Sequence, residues 1–265
     1  MTSAARLLRH GFLTLVAGFM VLPVAIVAGV SLNRQPLMTF PPRQPGLRWY
    51  AAFLADDGWR DALMTSLAIG VAVAVLCIAL ALPIAFSAWR RQTWLTRLVS
   101  ALAAMPLMLP AVVLAVVFMV FWRAVGHPGH VENTVLSQAI VFLPMPLAII
   151  TLGFGTIPRS IVEAARTLGA RERDIFSTIV LPVVWPYLCS AGVFVFISSI
   201  NEYIIAYMTS GFTVTTLPIK VFDSLRMGFQ PTMCVGAVLF MLLGVVCFGA
   251  IGACGNLPNL MGGRE

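Results

Sequence analysis

TIPRSIVEAARTLGARERDIFSTIVLP, residues 156–182, is a polar stretch between two long apolar runs, and its spacing predicts helix, turn, helix. Ile161, Ala164, Ala165 and Leu168 recur at helical intervals and form one apolar stripe. Gly169 supplies a helix-ending backbone position, and Ile175, Phe176 and Ile179 begin a second stripe before Leu181 and Pro182. Glu163, Arg166, Arg171, Glu172, Arg173 and Asp174 flank the ridge. A compact apolar ridge with charged flanks, carried on a loop of a membrane bundle, is by its physics a docking element.

A hydrocarbon core about 30 Å thick needs about 20 helical residues, and six apolar runs are long enough. They lie near 11–32, 63–89, 98–122, 135–155, 183–208 and 233–255, which puts the polar loop between the fourth and fifth spans. The expected fold is all-α: a polytopic membrane protein with six transmembrane helices, a single domain over residues 1–265. Composition agrees, since 60% of the 265 residues are hydrophobic, 10% are charged and the mean hydropathy is +0.95. The net charge of +7 comes from basic residues set between apolar runs, which points to the bilayer and away from nucleic acid. The first run, preceded by Arg6 and Arg9, is too long for the core of a signal peptide and is read as an uncleaved span.

Arginine placement sets the expected orientation. A cytoplasmic N-terminus puts Arg6, Arg9, Arg90, Arg91, Arg97, Arg159, Arg166, Arg171, Arg173 and Arg264 inside. Arg34, Arg43, Arg48, Arg60, Arg123, Lys220 and Arg226 then face outward, and both termini are cytoplasmic. Within the spans, Ser66, Gly70 and Ala74 form a small-residue face suited to close helix approach. Pro106 and Pro110 interrupt the third span, and Pro144 and Pro146 the fourth, each removing a backbone donor and favouring a kink. No internal repeat is evident, which argues against a carrier built from inverted halves in one chain.

Several chemistries are excluded. Lys220, between Ile219 and Val221, is the only lysine, so the chain has no Gly-Lys-Ser/Thr phosphate loop. His10, His127 and His130 fall outside the apolar runs, leaving no histidine for a zinc site or serine dyad in the membrane. Cys77, Cys189, Cys234, Cys247 and Cys254 lie in or beside apolar segments and read as packing residues.

The stretch EAARTLGARERDIFSTIVLP resembles the signature of permease subunits of binding-protein-dependent ABC importers: EAA, three residues, Gly, nine residues, Ile, one residue, Leu, Pro. Glu163, Ala164, Ala165, Gly169, Ile179, Leu181 and Pro182 occupy its fixed positions. The resemblance implies a coupling helix that fits a cleft on a separate ATPase, with Glu163, Ala164, Ala165, Arg166, Gly169 and Arg171 as coupling residues. It also implies a non-catalytic subunit in the bacterial inner membrane that itself binds no cofactor or metal, ATP and Mg being held by the partner ATPase. The implied partners are two ATPase subunits, a second permease, a periplasmic solute-binding protein and the lipid bilayer, with no nucleic acid.

A narrower resemblance ties LRWYAAFLADDGWRDALMTSL, with Trp49, Tyr50, Phe53, Thr65, Ser66 and Leu67, and TLPIKVFDSLRMGFQPT to the second permease subunit of spermidine/putrescine transporters. It favours a polyamine or related organic cation, while ferric iron, opine and amino-acid importers share the same features. A carrier driven by an ion gradient would want more ionisable groups inside the membrane. Asp56, Asp57 and Asp61 either meet the solute-binding protein or form a solvated face.

Glu202 is the charged side chain set well inside a span, where insertion costs about 2.5 to 3.5 kcal/mol. It is expected to face the solute path with Asn201, Tyr203 and Tyr207, or to be a structural carboxylate bonded to Asn201, Ser198, Tyr203 or the partner permease. The local SSINEYI resembles the corresponding stretch of polyamine permeases, with one acid and an Asn where those carry two acids. The two tyrosines lie one turn apart and either line the path or anchor at the interface.

Overall fold

The computed structural model describes residues 3–254, with side chains over 8–249, so Arg264 and the side chains of Arg6 and Cys254 lie outside the described residues. Every regular element among them is helical, apart from one isolated bridge between Asn33 and Pro45. The helices are α1 (Ser3–Ser31), α2 (Arg48–Ala55), α3 (Asp57–Arg90), α4 (Trp94–Ala104), α5 (Ala111–Ala124), α6 (Val131–Phe142), α7 (Pro144–Gly155), α8 (Arg159–Thr167), α9 (Glu172–Ile175), α10 (Leu181–Ile200), α11 (Ile204–Ser210), α12 (Leu217–Met227) and α13 (Thr232–Cys254). Among the described residues, four helical stretches are long and apolar enough to cross a bilayer: Leu8–Ser31, Asp57–Arg90, Glu172–Ile200 and Thr232–Gly249. Two bent pairs bring the number to six if each is one span.

Those pairs are where single straight helices were expected. The third run folds as Trp94–Met108 and Ala111–Ala124, meeting at 109°. Pro110 forces this, because Leu109 before it is extended, with φ −106° and ψ 140°, and Pro110 itself is extended at ψ 134°. The fourth run bends by only 48° between Val131–Phe142 and Pro144–Gly155, since Leu143 keeps helical angles ahead of Pro144. The fifth run also stops early: the chain leaves the helix at 201–203 and resumes it as α11.

The chain divides into two compact units. One takes in the chain up to Asp61 together with Lys220–Leu243, and the other takes in Ala62–Ile219 together with the chain from Gly244. In the first, Trp49 Nε1 donates to the Asn33 carbonyl at 2.6 Å, tying the loop after α1 to α2, and Asn33 Nδ2 donates to the carbonyls of Leu37 and Thr39 within that loop. Asp56 and Asp57 have local tasks here: Asp56 Oδ1 accepts the Trp59 amide at 3.0 Å, an N-cap for α3, and Asp57 pairs with Arg60.

The second unit carries both regions marked by the sequence. Its core packs Ala81 and Ala85 of α3, Leu147, Ile150 and Phe154 of α7, and Val184, Leu188 and Ala191 of α10. The small-residue face of α3 has the role its composition implied. A Cβ on Gly70 would come within 2.7 Å of Ile200 and 2.9 Å of Phe196, so only glycine admits α10 there. Ser66 Oγ accepts the Leu217 amide at 2.8 Å. None of Cys77, Cys189, Cys234 or Cys247 forms a disulfide; Cys77 and Cys234 are buried, Cys77 in an apolar cluster with Ile69, Val73 and Val195.

Candidate functional site

The loop 156–182 folds as helix, turn, helix. α8 ends in a turn where the Gly169 amide donates to the Arg166 carbonyl at 2.9 Å and the Ala170 amide donates to the Ala165 carbonyl at 3.0 Å. This double bond to the last turn requires a left-handed residue between them, and Gly169 has φ +81°. Beyond it, Arg171 opens α9 in an extended conformation, and a π-helical turn, Phe176–Val180, leads into α10.

The stripe on α8 divides into two faces. Val162 is 6% exposed and, with Ala165, sits on a cluster that includes Ile157, Ile175 and Phe154. Aromatic rings frame that seat: Phe86 stands edge-on to Phe176 at 5.3 Å, and Trp89 stacks on Phe154 at 5.5 Å. Ile161, Ala164 and Leu168 are exposed, Leu168 to 88%. The sequence grouped Ala165 with that outer stripe; it belongs to the inner side, because Val162 and Ala165 are three residues apart and share a face. Glu163 and Arg166 border a cleft of about 150 Å³ with Trp89, Arg90, Arg159 and Val162.

Ion pairs hold α8 in place. Glu172 accepts from Arg166 at 3.1 Å through Oε1 and from Arg90, at the end of α3, at 3.2 Å through Oε2. All three side chains are more than a third exposed, so the bridge orients α8 while contributing little to stability. Arg171, grouped with these residues by the sequence, is exposed and acts here through its backbone, whose carbonyl accepts from Asp174 and Ile175.

The second region is the break between α10 and α11. Glu202 Oε1 accepts the Ile205 amide at 2.7 Å, and Oε2 accepts the Ala206 amide at 3.0 Å, so the carboxylate satisfies two first-turn donors of α11. Oε2 also accepts from Gln138 Nε2 at 3.1 Å. Asn201 and Ser198, its proposed partners from sequence, are instead bonded to the carbonyls of Ile197 and Phe194 in their own helix. Asn201 is exposed, while Tyr203 and Tyr207 stack with centroids 5.4 Å apart.

Gln138 was missed by sequence reasoning, although a signal existed. Asn133, Thr134, Ser137 and Gln138 recur along one side of α6, and all four are 1% exposed or less. Thr134 Oγ1 lies 2.9 Å from Thr209 Oγ1 and 2.5 Å from Ser210 Oγ, while Ser137 accepts from Trp122 Nε1 at 3.0 Å. Among the described residues, no cluster of three or more His, Cys, Asp or Glu side chains is placed to hold a metal ion.

The chain belongs to the family described as binding-protein-dependent transport system inner membrane component, whose profile matches residues 77–254. It is a multi-pass permease subunit of an ABC importer. It is 30% identical over 235 residues to the putrescine transport system permease protein PotI of Escherichia coli K12, covering 86% of this chain and 83% of that one. It is 24% identical to the spermidine/putrescine transport system permease protein PotC of the same strain, over 91% of each chain. Its fold matches a solved bacterial ABC transporter involved in the import of the acidic polysaccharide alginate, with a TM-score of 0.71, 16% identity and coverage of 96% of this chain and 98% of that one.

Proposed function

We propose that this subunit, with a second permease, forms the path for a polyamine or related organic cation delivered by a periplasmic binding protein. Two separate ATPase subunits, which hold the ATP and Mg, drive the pair between outward and inward openings. In this reading the chain is non-catalytic, both termini and the loop 156–182 are cytoplasmic, and residues 160–179 couple ATPase closure to the membrane helices. The observation that carries it is the outer face of α8: a helix seated on one side by Val162 and Ala165 that leaves Ile161, Ala164 and Leu168 uncovered. An apolar face held rigidly in a polar loop is unfavourable unless a partner covers it. The polyamine part rests on the relative named for putrescine transport. Around the solute path, Asn201, Tyr203 and Tyr207 are the contact surface we assign, and Glu202 both holds that surface and gives it negative charge.

Three expected outcomes follow from this assignment. Leu168→Asp touches no core, so the permease inserts and is recovered at the parent level. The lost burial of one leucine, about 1.5–3 kcal/mol, weakens ATPase association by roughly tenfold or more in pull-down titrations. Equal association of variant and parent would remove the exposed stripe from the interface. The purified subunit, free of ATPase, should release no phosphate from ATP, because it lacks a phosphate-binding loop. Measurable hydrolysis by the isolated chain contradicts the division of labour. Uptake of radiolabelled putrescine by the complete importer tests the substrate. Saturable import that excess trehalose leaves unchanged supports a polyamine, whereas trehalose import would align the chain with its 26% identical relative, the trehalose permease SugB of Mycobacterium tuberculosis.

A further inference from the structure

The segment carrying Tyr203 and Tyr207 is not rigidly continued from α10, because 201–203 are outside any helix. α11 packs on α5 and α6 and buries Ile205 and Ala206, and side-chain bonds tie it to α6 at both ends. At its start, Gln138 Nε2 donates to the Glu202 carboxylate that caps it. At its end, Thr209 and Ser210 share the hydroxyl of Thr134, one turn before Gln138 on α6. Gln138 has a second partner: its Oε1 accepts from Ser199 in the last turn of α10. Both ends of one buried amide are thus used, its oxygen on α10 and its nitrogen on the cap of α11. Only one orientation of the amide satisfies both.

The connectivity gives this clamp its meaning. α6 continues through the 48° bend into α7, and α7 leads within three residues to α8. α10 reaches α8 from the other side through the π-helical turn and α9. Their ends nearest α8 are packed together by Leu147, Ile150, Phe154, Val184 and Leu188. Far from α8 the two arms share an apolar cluster containing Ala139 and Val195, and Gln138 joins them by a hydrogen bond.

We infer that Gln138 is a positioning residue that locks α11, with its tyrosines, to both arms of the hairpin leading to α8, so that a displacement of α8 is delivered to the solute-path segment. This rests on α8 being the coupling helix. In a water-poor setting an unpaired amide or carboxylate is expensive, so the two arms and α11 move as one body while the clamp is closed.

The test uses the complete importer in proteoliposomes, with radiolabelled putrescine as solute, and reads ATP hydrolysed per molecule imported. Gln138→Leu keeps approximate volume and removes both bonds, and should raise that ratio about tenfold. Gln138→Glu opposes a second acid to Glu202 and should raise it similarly. An unchanged ratio in Gln138→Leu overturns the inference, including the case in which yield, hydrolysis and uptake fall together as in a merely misassembled protein. An unchanged ratio in Gln138→Glu likewise overturns it. If the parent complex imports another solute, the polyamine reading falls, and the same ratio taken with that solute still decides the role of Gln138.

Discussion

Gly169→Val leaves the permease in the membrane but lets ATP hydrolysis proceed with little import. At φ +81° a side chain costs about 1–2 kcal/mol, more when β-branched, and the two terminal bonds of α8 depend on that conformation. Nothing lies within 4 Å of a Cβ built there, so the effect is purely one of backbone conformation. A graded series follows: Asn, which tolerates left-handed angles, should be mildest, Ala intermediate and Val most severe. Valine should reduce import per ATP by about tenfold, on the scale of a typical coupling energy. Normal binding-protein-stimulated hydrolysis together with full uptake in Gly169→Val would withdraw the coupling role of this turn.

Glu202→Gln is the second large effect. The substitution preserves shape, but it replaces a charged acceptor of two amides and Gln138 with a neutral one. Hydrogen bonds to charged groups contribute about 1.5–3 kcal/mol, and a cationic solute also loses an attractive charge on its path. Uptake of putrescine at limiting concentration should fall tenfold or more on that scale, while the complex is still isolated intact. Equal loss of assembly and uptake would assign Glu202 to the fold alone. Unchanged uptake would remove it from the path.

The two regions differ in how openly the sequence displays them. The loop 156–182 is built from contiguous residues at fixed spacing, so the ridge from Ile161 to Leu168 and the turn at Gly169 were legible from periodicity and one glycine. Which side of that ridge is seated was not, since it depends on Phe86, Trp89, Phe154 and Phe176 converging from three other segments. Glu202 was legible as an anomaly, a carboxylate in an apolar run. Its partner lies 64 residues away, and no local pattern announces a contact across that separation. The prolines marked where the third and fourth runs would bend, but the sharp bend and the shallow one follow from whether the residue before proline leaves the helical region. The break at 201–203 was missed because the flanking residues remain apolar, and hydropathy does not register a cap.

ATP-driven import is tested most directly in reconstituted membranes containing this permease, its partner permease, the ATPase pair and the binding protein. With ATP inside and no ion gradient, radiolabelled putrescine should accumulate only when every component is present, and Leu168→Asp should abolish most of that accumulation. Accumulation driven by an ion gradient in vesicles that hold the permease without its ATPase would contradict it.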